Sequence, residues 1–357
     1  MLKKYVMDAA FHNALSNLKK SIPRLAQLLK FGDSSDIASW MHIVEAKLIP
    51  RFSSEFPIVA AICGGGSSGK STLFNSLSGE RLAPAGGRAG MNRRVLFSVP
   101  ANLVKQSRVV SDLAEPFQAD LQPLKDSADL THPGNPLYVI NRSGPKDLVL
   151  LDTPDFDPGA GGEYINRDVT RLALEASDII IYIFTNSNYN NRDNTDFMSR
   201  MLTGIGTRKC FLIYRVYPSF TDREVREHAM TVAGGIYGDD AGKNLLGIYR
   251  ADEDNRVAAE ESFMKLRPVP PDGLEFLSAL AAVDAPELRL ELHASILKDV
   301  LKKAVNLLGD AQCSLDELRL YLDAFQTVQS QYVHEALKHF PMDRVMKRFL
   351  KIWAKTD

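Results

Sequence analysis

Gly64, Gly69, Lys70 and Ser71 stand at the fixed positions of G-x-x-x-x-G-K-[ST], within the string Gly64-Gly65-Gly66-Ser67-Ser68-Gly69-Lys70-Ser71. Glycines at that spacing let the backbone curl so that successive N–H groups point inward at phosphate oxygens. Lys70 is placed to reach the terminal phosphates of a bound nucleotide, and the Ser71 hydroxyl is an oxygen of the kind that ligates Mg²⁺. The apolar run Ile58-Val59-Ala60-Ala61-Ile62-Cys63 enters the loop, and Thr72-Leu73-Phe74-Asn75-Ser76-Leu77 leaves it with helical patterning. That order of strand, loop and helix brings the positive end of a helix dipole to the phosphates and separates the pattern from a chance glycine turn. The residues expected to hold phosphate are Gly64, Gly65, Gly66, Ser67, Ser68, Gly69, Lys70, Ser71 and Thr72.

A second pattern has the same destination. Leu148-Val149-Leu150-Leu151-Asp152 is an apolar strand ending in a carboxylate, followed by Thr153-Pro154-Asp155. A carboxylate at the C-terminal end of a strand beside the glycine loop suits the outer coordination of Mg²⁺, usually through water. Asp152 therefore joins Ser71 as a predicted metal residue. The seven histidines show no metal-ligand spacing. Cys63, Cys210 and Cys313 are far apart and odd in number, which predicts buried free thiols in a reducing cytoplasm rather than a disulfide framework.

The elements that must position these residues follow from the hydrophobic pattern. Strands are expected at Ile58–Cys63, Val95–Val99, Leu137–Asn141, Leu148–Leu151, Asp178–Thr185, Cys210–Val216 and Leu245–Tyr249. Helical segments separate most of them, which predicts an α/β fold with a mainly parallel sheet. Leu137–Asn141 and Leu148–Leu151 flank Ser143-Gly144-Pro145-Lys146 and read as a hairpin, hence one antiparallel edge. Residues 100–136 read as an irregular insert. Residues 1–50 form an N-terminal helical segment, with a new helix starting at Pro23 and another over Ile37–Leu48. Residues 51–285 form the nucleotide domain, and 286–357 a C-terminal helical segment expected to pack with the first as a bundle. In that last segment Leu315, Leu318, Leu322, Phe325, Gln329, Tyr332 and Ala336 alternate steps of three and four, a heptad-like seam interrupted by one polar residue. An amphipathic bundle helix and a self-associating coiled coil both fit it. The chain stops inside the basic, apolar stretch Met346–Trp353, as a piece of a longer protein would.

Composition bounds the rest. The 357 residues carry 43 basic and 44 acidic side chains, so no global field advertises nucleic acid or anionic lipid, and no nucleic-acid partner is expected. No apolar run approaches the length of a membrane span, and the N-terminus lacks the pattern of a signal peptide. A cytoplasmic protein is expected, peripheral at a membrane at most, with a protein partner or its own helices as other contacts.

Gly64–Ser71, the helix Thr72–Gly79 and Asp152-Thr153-Pro154 resemble the P-loop GTPases of the translation-factor-related class. Asp152-Thr153-Pro154-Asp155-Phe156-Asp157, Asn166-Arg167 and Ala176-Ser177-Asp178-Ile179-Ile180 lean toward its Era-like and bacterial dynamin-like groups. The resemblance covers about residues 56–284 and implies binding of GTP or GDP with Mg²⁺, hydrolysis, and coupling to the helical region. It also implies a water-ordering role for Ser67 beside Lys70, while the glutamine of dynamin-like loops is here Gly66. Arg88 is the candidate charge-neutralising arginine in cis.

Three departures lower the expected rate and selectivity. The loop after the first helix, Pro84 to Arg94, has no threonine, and Met91 or Asn92 stands at its place. Asp155 replaces the glycine after Asp-x-Pro and would add negative charge beside the γ-phosphate. The guanine-reading motif is replaced by Tyr214-Arg215-Val216-Tyr217, with Tyr214, Arg215 and Tyr217 the expected base-contacting residues and Asp222 the alternative carboxylate. Slow GTP hydrolysis is the expectation. A degenerate nucleotide-binding scaffold and an ATP-binding relative are the alternatives.

Overall fold

The computed structural model describes residues 9–30, 37, 41, 56–85, 92–105, 107–156, 166–187, 192–203, 207–270 and 272–355. The helix expected over Ile37–Leu48, together with Arg88, Met91 and Asp157, lies largely or wholly outside them. The chain divides into two compact units, one of Met1–Met7 and Ser39–Leu301, the other of Asp8–Ala38 and Lys302–Asp357.

The first unit is built on strands β1 (Ile58–Cys63), β2 (Leu96–Pro100), β3 (Gln122–Pro123), β4 (Leu137–Asn141), β5 (Leu148–Asp152), β6 (Ile179–Thr185), β7 (Lys209–Val216), β8 (Leu245–Asp252) and β9 (Leu266–Pro268). They form one sheet in the order β3-β4-β2-β5-β1-β6-β7-β8-β9. The loop-bearing β1 sits inside it, parallel to β5 with Ile62 opposite Asp152 and parallel to β6 with Cys63 opposite Tyr182. Side chains of a strand alternate between faces, so Val59, Ala61 and Cys63 enter one core and Ala60 and Ile62 the other. The first core receives Ala173 and Leu174, Phe197 and Met198, and Val225, Ala229 and Val232 from three helices. The second receives Leu73, Phe74 and Leu77 from the helix after the glycine loop, with Phe276 and Leu280. Burial on both faces is why these strands read as unbroken apolar runs.

The expected mainly parallel sheet is present, but its antiparallel pairs fall elsewhere. β4 and β5 are not partners, because β2 lies between them, parallel to β4 and antiparallel to β5. Every residue of β2 is buried whereas β4 is only partly so, and a strand apolar on both faces demands an interior position. The Asn141 side chain folds the intervening turn by accepting from the N–H groups of Ser143 and Gly144 at 2.9 and 2.8 Å. The antiparallel edge is β9 against β8, a strand of three residues that alternation could not signal. The insert holds short helices at Ala101–Val104 and Ser107–Ala114.

In the second unit, the helix Ala9–Leu29 runs through Pro23 rather than restarting there. Ile22 is 1% exposed and Ala26 is buried, and that burial offsets the roughly 3 kcal/mol a proline costs inside a helix. The helix Ala285–Lys338 contributes its residues from Lys302 onward to this unit, and another helix follows at Met342–Trp353. Ala304, Leu307 and Ala311 are buried, whereas the heptad-like seam is not: Leu322, Phe325 and Tyr332 are 60, 69 and 75% exposed. The bundle expected of this segment does not extend over the seam. Among the described residues no helix is long and apolar enough to cross a membrane.

Candidate functional site

The sheet delivers the glycine loop from the buried end of β1 into the helix Lys70–Ser78, called α1 below for the site. Gly64 admits no side chain, since a Cβ there would run into the Ile183 carbonyl of β6 and the Ser68 hydroxyl. Gly69 has φ +101°, and Ser67, at φ 59°, holds a left-handed conformation unusual for a residue with a Cβ. The Ser67 carbonyl accepts from Arg215 Nη1 at 3.2 Å, and the Ser68 N–H donates to the Gly65 carbonyl at 3.2 Å. The Ser68 hydroxyl is buried with no hydrogen-bond partner. Lys70 opens α1, 6% exposed, with Nζ donating to the Gly65 carbonyl at 2.9 Å and paired with Asp155. Asp155 thus turns onto Lys70, so its charge is matched rather than left to repel.

Ser71 Oγ donates to Asp152 Oδ2 at 2.7 Å, joining the two predicted metal residues. Asn92 Nδ2 donates to both, at 3.2 Å to Ser71 Oγ and 3.3 Å to Asp152 Oδ2. It thereby turns its amide nitrogen toward both predicted metal residues. Asp152 is 1% exposed, and burial pushes its carboxyl up to about 6, against the hydrogen bond from Ser71 and the charge of Lys70. Its Oδ1 is buried with no hydrogen-bond partner. A buried, unsatisfied carboxylate oxygen beside a hydroxyl is a hard donor set and fits Mg²⁺. Among the described residues no three His, Cys, Asp or Glu side chains converge on one point, so such an ion would draw further oxygens from phosphate and water.

These groups open onto a cavity of about 530 Å³. Ser67, Gly69, Lys70, Ser71 and Thr72 line it with Asn92, Thr153, Asp155 and Arg215. Gly64, Gly65, Gly66 and Ser68 shape the loop from behind. Of the predicted base-contacting residues only Arg215 is in the wall. Tyr214 is buried in the core, its hydroxyl 3.1 Å from Asn186 Oδ1 and 3.0 Å from His228 Nδ1, because strand alternation turns it away from Arg215. Tyr217 is 59% exposed and lines nothing in the cavity. Asp222 is absorbed by structure: buried Arg250 donates to its Oδ1 at 2.6 Å. The residues missed from sequence are Asp252, Glu253, Asp254, Val257, Ala258, Glu260 and Met264. Their available signal was position, since they follow β8 at the strand end that also carries the glycine loop. Cys63 and Cys210 are buried free thiols, as expected, and burial pushes both well up; Cys313 is exposed.

A mainly parallel α/β sheet with the glycine loop on an interior strand and the Asp152 strand beside it defines a P-loop α/β fold. No family model and no curated protein matches the chain. Similar solved structures include an oligomerised bacterial dynamin pair described as sensing and tethering membranes, at 14% identity, 96% of this chain and 53% of that one covered, TM-score 0.42. Another is Era in complex with MgGDPNP and 16S ribosomal RNA, at 14% identity, 57% and 52% covered, TM-score 0.35. A third is a chloroplast translocon component for whose GTPase activity dimerization is described as important, at 13% identity, 71% and 91% covered, TM-score 0.37. The chain spans about half the length of the bacterial dynamin and Era structures it matches. The functional reading stands on the loop and strand order of the chain itself.

Proposed function

We propose that the chain binds a guanine nucleotide with Mg²⁺ on the glycine loop and hydrolyses GTP slowly, with the bound state coupled to the helical region. The observation that carries this is the conjunction at one cavity of Ser67, Gly69, Lys70 and Ser71, with buried Asp152 bonded to the Ser71 hydroxyl. In this reading the loop N–H groups and Lys70 bind the phosphates, while Ser71 and Asp152 hold the cation, which supplies charge neutralisation during phosphoryl transfer. Ser67 lines the cavity and is the side chain assigned to order water. Arg88 keeps its proposed cis role.

Slowness follows from the chain's own groups. Asn92 offers a donor where a metal-facing hydroxyl would stand, and Asp155 must be displaced from Lys70 before phosphate can take its place. The same observations favour a second reading, a nucleotide-binding scaffold with little hydrolysis. Calorimetry with GDP and GTP, with and without Mg²⁺, tests the site. Lys70→Ala is expected to weaken both by about a hundredfold or more, since it removes charge-assisted bonds to phosphate. Binding within a few-fold of the parent would place the nucleotide elsewhere. Phosphate release at saturating GTP separates slow enzyme from scaffold.

A further inference from the structure

We propose that Glu253 is the residue that reads the base, and that the base it selects is guanine; the inference rests on the nucleotide-binding reading above. Beside the glycine loop the cavity changes character, with Met264 and Arg215 the side chains nearest Gly69. Val257, Ala258 and Met264 supply an apolar surface and Arg215 a planar cation. A flat aromatic ring suits such surroundings, because apolar side chains take its water and a guanidinium attracts its face. Arg215 also bonds the Ser67 carbonyl, so this part of the wall is tied to the phosphate loop.

Three consecutive carboxylates close the cavity, and their partners differ. Asp252 takes Arg250 and, at 3.3 Å, Arg267. Asp254 accepts the Arg256 N–H at 2.8 Å and pairs with the Arg256 guanidinium at 3.5 Å, which commits it to starting the turn Asn255–Ala258. Glu253 has one long ion pair, Oε1 3.5 Å from Arg215 Nη2, which leaves most of the acceptor capacity of a carboxylate in place. Its backbone is fixed where a base reader is needed. The Glu253 N–H donates to the Val216 carbonyl at 2.9 Å, at the end of β7, next to the Tyr217 that should have been the reading carboxylate and points elsewhere.

Hydrogen-bond chemistry then selects the ligand. Guanine presents N1–H and N2–H₂ side by side, and one carboxylate accepts both. Adenine presents N6–H₂ beside the N1 lone pair, so one contact attracts and the other repels. Xanthine presents N1–H beside a carbonyl oxygen, which a carboxylate repels and an amide satisfies.

The experiment is calorimetry of the parent, Glu253→Gln and Lys70→Ala with GDP, ADP and XDP in Mg²⁺. The parent is expected to prefer GDP. Glu253→Gln should lose about ten- to a hundredfold in GDP affinity and gain for XDP and ADP, whose edges set a donor beside an acceptor as an amide does, and the XDP and ADP binding also reports an intact fold. If Glu253→Gln does not fold, Glu253→Asp asks the same question and should weaken GDP more than ADP. GDP binding that Lys70→Ala abolishes but the Glu253 variants leave unchanged relative to ADP and XDP overturns this proposal and spares the nucleotide site. A parent that binds none of the three overturns both.

Discussion

Lys70 and Asp155 are 6% and 16% exposed and paired, so in the proposed function a triphosphate exchanges that carboxylate for its own oxygens. Neutralising the competitor should help. Asp155→Asn is expected to raise GTP affinity by about three- to tenfold, the worth of a partly buried pair surrendered on binding, and unchanged or weaker binding would show that Asp155 assists instead. Asp152 makes a pH prediction. Its carboxyl titrates near 6 in the folded chain, above the value of about 4 of an unfolded aspartate. The stability tied to it is therefore full below about pH 4 and falls as pH rises through 6, by on the order of 3 kcal/mol. Without divalent cation, the melting temperature of the parent should drop relative to Asp152→Asn between pH 5 and 7.5. A difference that stays flat over that interval would mean the carboxylate is better solvated than its burial implies.

At the scale of elements, α1 does more than present Lys70. Asn75, buried on its inner face, donates to the Ala83 carbonyl at 2.8 Å and accepts from the N–H groups of Leu82 and Ala83 at 2.9 and 2.8 Å. Leu82 and Ala83 are thus fastened to α1. Ser76 Oγ accepts from the Met264 N–H at 2.9 Å, fastening the far wall of the cavity to the same helix. Such a frame can present a replaced side chain without rebuilding the loop. Asn92→Thr should restore a hydroxyl near Ser71 and Asp152 and raise single-turnover GTP hydrolysis by about tenfold or more, since one missing polar contact to the transition state costs about 10²–10³. Equal rates in parent and variant would place the bottleneck away from this loop.

For the whole molecule, the telling feature is apolar surface in the helical unit. Leu318, Leu322, Phe325 and Tyr332 are exposed along one stretch, followed by Phe349, Leu350 and Trp353. Exposed apolar surface of this extent is the basis for the self-association proposed for this unit. Sedimentation should show association rising with concentration, and phosphate release per molecule should rise with it if association completes the catalytic site. Phe325→Glu should weaken both while leaving GDP affinity within about twofold. A parent that hydrolyses GTP fast while dilute and monomeric would remove the reason for coupling the helices to the site.

The glycine loop, the Asp152 strand and the parallel α/β class were legible in the chain because each is local: glycines at set spacing, and strands apolar on both faces from burial in two cores. Ser71 and Asp152 could be paired for the same reason, each lying at the end of a readable element. Only the tertiary structure decided the rest. It threaded β2 between β4 and β5, since a turn does not choose a strand's neighbour when a more apolar strand competes for the interior place. Asp155 was turned onto Lys70, a pairing across 85 positions that no spacing rule predicts. Tyr217 was sent outward while Glu253 was brought to the end of β7, because strand register, unlike a motif, juxtaposes residues by hydrogen-bonding ladders rather than by sequence distance.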